Sequence, residues 1–121
     1  MRIALVVDDS KVVRTVSRRI LEELGFEVIE AENGQEALEQ CETTTPEIIL
    51  LDWNMPVMNG MEFIKAFRSN SQFQSVTVIF CTTENEVTKM QEALQAGANE
   101  YVMKPYDKDI IESKLLQLDL L

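Results

Sequence analysis

The chain has no histidine, and only two cysteines, four glycines, three prolines and one tryptophan among its 121 residues. Without histidine, the usual zinc sites and His-based catalytic arrangements are excluded. Cys41 and Cys81 fit neither a disulfide framework nor a zinc site, and both are expected to pack as small apolar side chains. Basic residues are scarce as well: 11 Lys and Arg stand against 21 Asp and Glu, a net charge of −10. A surface of that sign repels nucleic acid phosphates and anionic lipid, so neither is expected as a partner, and protein partners or small cations are favoured. Long apolar runs are missing too. Ile3 to Val7 is far too short for a signal peptide core and no later run approaches membrane-spanning length, so a cytoplasmic protein is expected. No linker, repeat or low-complexity tract divides the chain, which reads as one domain over residues 1–121 that folds unaided.

What the chain does have is a succession of short apolar runs rich in β-branched residues: Ile3 to Val7, Phe26 to Glu30, Ile48 to Leu51, Val76 to Cys81 and Tyr101 to Met103. Helix-periodic stretches separate them, the pattern of a parallel sheet covered on both faces. The second run carries Glu27 and Glu30 and is expected at a sheet edge. A first helix is predicted with Val13, Val16, Ile20 and Leu24 at helical spacing, Ser10 as its cap and Gly25 as its stop. Asn33-Gly34 opens a second with Ala37, Leu38 and Cys41, and Phe63, Ile64 and Phe67 mark a third. A fourth carries Val87, Met90, Ala93 and Leu94 and stops at Gly97, and Asp107 caps a fifth with Ile110, Ile111, Leu115 and Leu118 inward. Five βα units joined by right-handed crossovers give an α/β fold, an open doubly wound sheet with five helices.

In such sheets ligands bind beyond the carboxyl ends of the strands. There the first run ends in Asp8-Asp9, the third in Asp52 and the fourth in Thr82-Thr83, while Lys104-Pro105 follows the fifth. Each residue alone has an ordinary explanation: a helix cap for Asp8 or Asp9, a turn for Asp52, a solvated Lys104 and a strand-favouring Thr82. Their joint placement at successive strand ends overrides those explanations. Three carboxylates together repel one another unless a cation neutralises them, and oxygen-only ligation suits Mg²⁺. A carboxylate such as Asp52 is then a candidate nucleophile for a phosphoryl group, with Lys104 as the positive group and Thr82 as a hydroxyl donor.

The strings VVDDS, LLDWNMPVMNG, IFCTTEN and YVMKPY resemble, in order and spacing, the response-regulator receiver domain of bacterial two-component systems, over essentially the whole chain. The resemblance is closest to the single-domain chemotaxis regulators of the CheY type. It implies a flavodoxin-like, CheY-like sheet of strand order 2-1-3-4-5, CheY itself being a standard example of that order. It also implies phosphorylation of Asp52, with Asp9 and Asp52 binding Mg²⁺ directly, Asp8 acting through water and Asn54 lending its backbone carbonyl. Thr82 would turn onto the phosphoryl group, Tyr101 would change rotamer with it, and the Lys104–Pro105 bond would be cis. Asn54 and Glu84 stand where the family tunes the lifetime of the phosphorylated form, and Thr83 stands where it usually carries Ala or Gly.

The partners so implied are a sensor histidine kinase or histidine phosphotransfer protein and a downstream target, the flagellar motor switch in the chemotaxis type. The protein is expected to act as a monomer, and to catalyse its own phosphorylation and dephosphorylation without being an enzyme in the ordinary sense. Lys11, Arg14, Arg18 and Arg19 form a basic face on the first helix, open to reading as a solvated face or as the kinase-docking surface. Met90, Tyr101 and Lys114 correspond to the target-binding face. No segment is left for an output domain, so output is expected through binding; a phosphorelay shuttle and a receiver cut from a larger regulator are the alternatives. An aspartate-nucleophile phosphatase needs a second acid where Asn54 stands. A flavin carrier needs a Ser/Thr/Gly-rich phosphate loop where Asp8-Asp9 stand.

Overall fold

The computed structural model describes residues 2–83 and 87–121. The elements run β1 (Ile3–Val7), α1 (Lys11–Glu23), β2 (Glu27–Ala31), α2 (Gly34–Thr43), β3 (Ile48–Asp52) and α3 (Gly60–Arg68), then a 3-10 turn over Ser71–Phe73. They continue with β4 (Thr77–Thr82), α4 (Val87–Ala96), β5 (Glu100–Met103) and α5 (Lys108–Gln117). All strand pairs are parallel and the order is β2-β1-β3-β4-β5, the doubly wound arrangement expected. β2 is an edge strand, and its two glutamates keep that edge polar. None of the described helices is long and apolar enough to cross a membrane.

Alternation along the central strands divides the interior. Leu5, Val7, Ile49, Leu51, Val78 and Phe80 pack beneath α2, α3 and α4 with Phe63, Phe67 and Phe73. Ala4, Val6, Ile48, Leu50, Ile79 and Cys81 pack beneath α1 and α5 with Ile20, Leu21, Ile111 and Leu115. In β1, β3 and β4 nearly every residue is buried because both faces are covered, so these strands read as continuous apolar runs. Cys41 and Cys81 are free and buried, as small apolar residues would be. Burial pushes the Cys41 thiol up to about 11 and that of Cys81 to about 12.

The ends of α1, α4 and α5 follow the predicted signals, and α3 adds a capping box that was not among them. Ser10 Oγ accepts from Val13 N, Asp107 Oδ1 accepts from Ile110 N, and Asn59 and Glu62 form a capping box at α3. Gly25 and Gly97 take positive φ where α1 and α4 stop. The structure departs from the sequence expectations in three ways. Phe26 lies outside β2; its N–H closes the turn after α1 onto Leu21 O and its ring is buried there, so the strand starts one residue later. Val76 precedes β4 in the same way, and Asp52, Thr82 and Glu100 belong to their strands. Helix faces are also rotated: Val16 is 45% exposed whereas Arg14 and Ser17 are buried, and Ile110 and Leu94 face out while Ile111 and Ala93 face in.

Candidate functional site

The carboxyl ends of β3, the central strand, and its neighbour β1 bring Asp8, Asp9 and Asp52 together. One oxygen from each lies within 4.8 Å of the others. Gly60 makes this approach possible. The β3–α3 connection folds back so closely that a Cβ at Gly60 would collide with the Asp52 carbonyl oxygen and the Phe80 ring, while Gly60 N donates to Trp53 O at 2.9 Å. Earlier in that connection Val57 has φ 69 and is 80% exposed, and Met58 N donates to Pro56 O at 2.7 Å around it. A β-branched residue in that region is strained.

The three acids are not equivalent. Asp8 is 3% exposed; its Oδ1 accepts from Ser10 N at 2.9 Å and its Oδ2 from Lys104 Nζ at 2.8 Å. Asp52 is partly buried and accepts from the same ammonium at 2.8 Å. Asp9 is exposed. Burial, joined by the repulsion of Asp8, raises the Asp52 carboxyl above the usual carboxylate range despite the opposing bonds from Lys104 and the Trp53 N–H. For Lys104, burial works against the charge, but its bonds to Asp52 and Asp8 outweigh it and hold the ammonium above its ordinary value. The Lys104 main-chain N–H donates to Thr82 O at 2.6 Å, and the Lys104–Pro105 peptide is cis, as the resemblance implies.

Thr82 ends β4, 4% exposed, with Oγ1 donating to Thr83 O at 3.3 Å. By the β4–β5 register it shares the α4-side face of the sheet with Phe80 and Tyr101. Tyr101 therefore lies away from the carboxylates, partly buried against the aromatic layer, with Lys114 Nζ 5.4 Å from its ring centre and 3.5 Å from Glu100. Met90 is buried rather than part of an open surface. Asn54 is exposed in the β3–α3 connection. Glu84 lies outside the described residues.

The basic face expected on α1 is broken up. Arg14 is buried and bonds Asp8 O and Glu30, and Arg18 pairs with Glu30 and Glu22, leaving Lys11 and Arg19 exposed. Beside the acids lies an open apolar groove of about 380 Å³ lined by Val12, Val13, Val16, Thr83, Pro105 and Tyr106. Its floor includes a polar tie across the fold: the hydroxyls of Ser17 and Tyr106 are 2.6 Å apart. Arg14, Ser17, Tyr106 and Gly60 also shape the site, although none of them stands at the end of an apolar run as the acids do. The i, i+3, i+7 spacing of Arg14, Ser17 and Leu21 was the available signal for the first two.

An all-oxygen cluster of this kind fits a hard divalent cation, and a carboxylate held beside an ammonium fits transfer of an anionic group. The family model for the response regulator receiver domain matches residues 4–116. Chemotaxis protein CheY1 of Helicobacter pylori strain 26695 is 41% identical over 113 residues, 92% of this chain and 91% of that protein. The Campylobacter jejuni chemotaxis protein CheY homolog is 37% identical over 92% of this chain and 87% of its own length. Among solved structures, the chemotaxis response regulator CheY4 of Vibrio cholerae superposes with a TM-score of 0.90 at 36% identity, covering 98% of both chains.

Proposed function

This chain belongs to the response regulator receiver family, the phosphoacceptor switches of two-component signalling, and from that premise we propose that Asp52 is its phosphoacceptor. The observation that carries the reading is the arrangement of Asp52 between a shared ammonium and two further carboxylates at the sheet edge. Residues 1–121 form one receiver domain in this reading. Asp9 and Asp52 would hold Mg²⁺, with the Asn54 carbonyl, and Asp8 would assist through water; when bound, the ion would supply charge neutralisation for the transferring oxygens.

In the transfer an Asp52 oxygen attacks phosphorus, an Asp52 O–P bond forms and the donor's N–P bond breaks, leaving the donor imidazole. The chain itself catalyses this step. Lys104 shifts one of its hydrogen bonds from Asp52 to a phosphoryl oxygen, keeping Asp8 as its anchor. Thr82 turns its hydroxyl to another oxygen. Tyr101, on the same face of the sheet, takes up the space so released, which biases the α4–β5–α5 surface toward its target.

The donor is a histidine kinase or histidine phosphotransfer protein, and the groove of Val12, Val16, Thr83 and Tyr106 beside Asp52 offers it an apolar seat. Lys11 and Arg19 flank that seat and steer the encounter. The relatives' names extend the reading to chemotaxis, and the cytoplasm is the compartment proposed with it. Thr83 is exposed in the approach, so transfer is expected to be slower than with a smaller residue there, and Thr83→Ala should speed labelling. Intact-mass measurement after incubation with Mg²⁺ and acetyl phosphate tests the central claim. One added phosphoryl group is expected, and none on Asp52→Asn; label that persists on that variant defeats the assignment.

A further inference from the structure

Arg14 is 8% exposed although charged, on the side of α1 that faces the sheet. A buried guanidinium must find acceptors for its fork or it destabilises the fold. Nη1 donates to the main-chain carbonyl of Asp8 at 2.7 Å, Nε donates to Glu30 Oε1 at 3.0 Å, and Nη2 lies 3.7 Å from Glu32 Oε1. Two of these contacts fasten α1 to β2 and to the residue that follows it. The third reaches the peptide that joins Asp8 to Asp9.

That peptide lies just beyond the ladder. β1 ends at Val7, and the last tie on the upstream side is Asp8 N to Ala31 O at 3.1 Å. The Asp8 side chain is held by Ser10 N and Lys104, but the Asp9 side chain has no hydrogen bond or ion pair among the described residues. The direction in which Asp9 projects is therefore set by its main chain alone. Downstream that main chain is fixed by the cap of α1, upstream by the Asp8 N–H on Ala31 O and by Arg14 on the Asp8 carbonyl.

Resting on the reading that Asp9 and Asp52 hold Mg²⁺, we propose that Arg14 is a positioning residue for the metal site, its guanidinium locking the Asp8–Asp9 peptide so that Asp9 is presented to Asp52 at a fixed spacing. The role is geometric. Arg14's charge is met by Glu30, which Arg18 also holds at 2.7 Å, so Glu30 stays in place without it. A single ammonium could not bridge the Asp8 carbonyl and Glu30 as the planar fork does.

The test is a Mg²⁺ titration read by Trp53 fluorescence and by the Mg²⁺-dependent rise in melting temperature, with no phosphodonor present. The charge-balanced Arg14→Met/Glu30→Gln variant should lose about tenfold in Mg²⁺ affinity, the loss usual for a residue that orients a ligand. Arg14→Lys, which keeps the charge and loses the fork, should also bind more weakly; it carries the test if the double variant does not fold. Parental affinity in the double variant would make Arg14 only a staple between α1 and β2, and parental affinity in Arg14→Lys would make its charge sufficient; either overturns the proposal. Asp9→Asn separates the two claims. If it loses the Mg²⁺ response while the Arg14 variants keep it, only the positioning role fails; if it responds as the parent does, the metal reading fails and the positioning role with it.

Discussion

On the face of the sheet covered by α2, α3 and α4, the rings of Phe63, Phe67 and Phe73 stack at centroid spacings of 5.1 and 4.6 Å, and Trp53 meets Phe80 at 5.4 Å. On the face covered by α1 and α5 the layer is aliphatic apart from Phe26, and it admits the Arg14 guanidinium, the Ser17 hydroxyl and the Tyr106 phenol. Adjacent residues of the same strands serve both layers, so the difference lies in what the helices bring. The aromatic face draws its energy chiefly from area and ring contacts. The polar face gives up some of that for hydrogen bonds that fix the backbone around Asp8 and Lys104.

Phe67→Ala, on the aromatic face, should produce the largest effect, a loss of about 3–5 kcal/mol in urea unfolding, while the folded fraction keeps its Mg²⁺ response. Loss of that response in the folded protein would mean that the two faces are not separable. On the polar face Tyr106→Phe leaves the buried Ser17 hydroxyl without its 2.6 Å partner, for a cost of about 1–3 kcal/mol. Adding Ser17→Ala should return most of it, since replacing both partners is close to neutral; a double variant as unstable as the single one would show that the hydroxyl pair is not the cause.

Asp52→Asn should shift stability the other way. The folded state binds the Asp52 proton more tightly than the unfolded chain, so ionisation of this carboxyl costs stability at neutral pH, and the cost disappears as pH falls below the unfolded value. Melting of the Asn variant should be higher at pH 7, by the roughly 0.5–2 kcal/mol typical of a single stabilising substitution, and the advantage should shrink in acid. An Asn variant that melts at or below the parent at neutral pH would contradict the picture of a carboxylate held against its preference. The smallest expected effect belongs to the β3–α3 connection. Val57→Asn, better suited to φ 69, should raise stability by up to about 1 kcal/mol, and no gain in chemical denaturation would show that the turn is not strained.

The acids and Lys104 were legible because each stands at the end of a strand that announces itself by an apolar run, and topology then carries all of them to one edge. The strand order came by resemblance instead, since periodicity alone does not say which strands are neighbours. The polar face was the least legible. Arg14 shares the basic look of Lys11, Arg18 and Arg19, and nothing in composition says which of the four turns inward. Val13, Val16, Ile20 and Leu24 suggested an inward stripe, but an exposed groove beside the site claims Val16 while Ser17 takes its place inside. Ile110 and Ile111 are neighbours of equal hydrophobicity, so only the docking angle of α5 decides which one is buried.

Cys81 stands opposite Asp52 in the β3–β4 ladder, with its sulfur 3.9 Å from the Tyr106 hydroxyl. A thiolate there would compete with water for an acyl phosphate, draining the signal by thiolysis and leaving a modified sulfur behind. Burial pushes that thiol up to about 12, so it stays protonated at neutral pH. The phosphorylated form proposed for Asp52 should then lose nothing to Cys81, and thiol-alkylating reagents and the redox state of the surroundings should leave its lifetime unchanged.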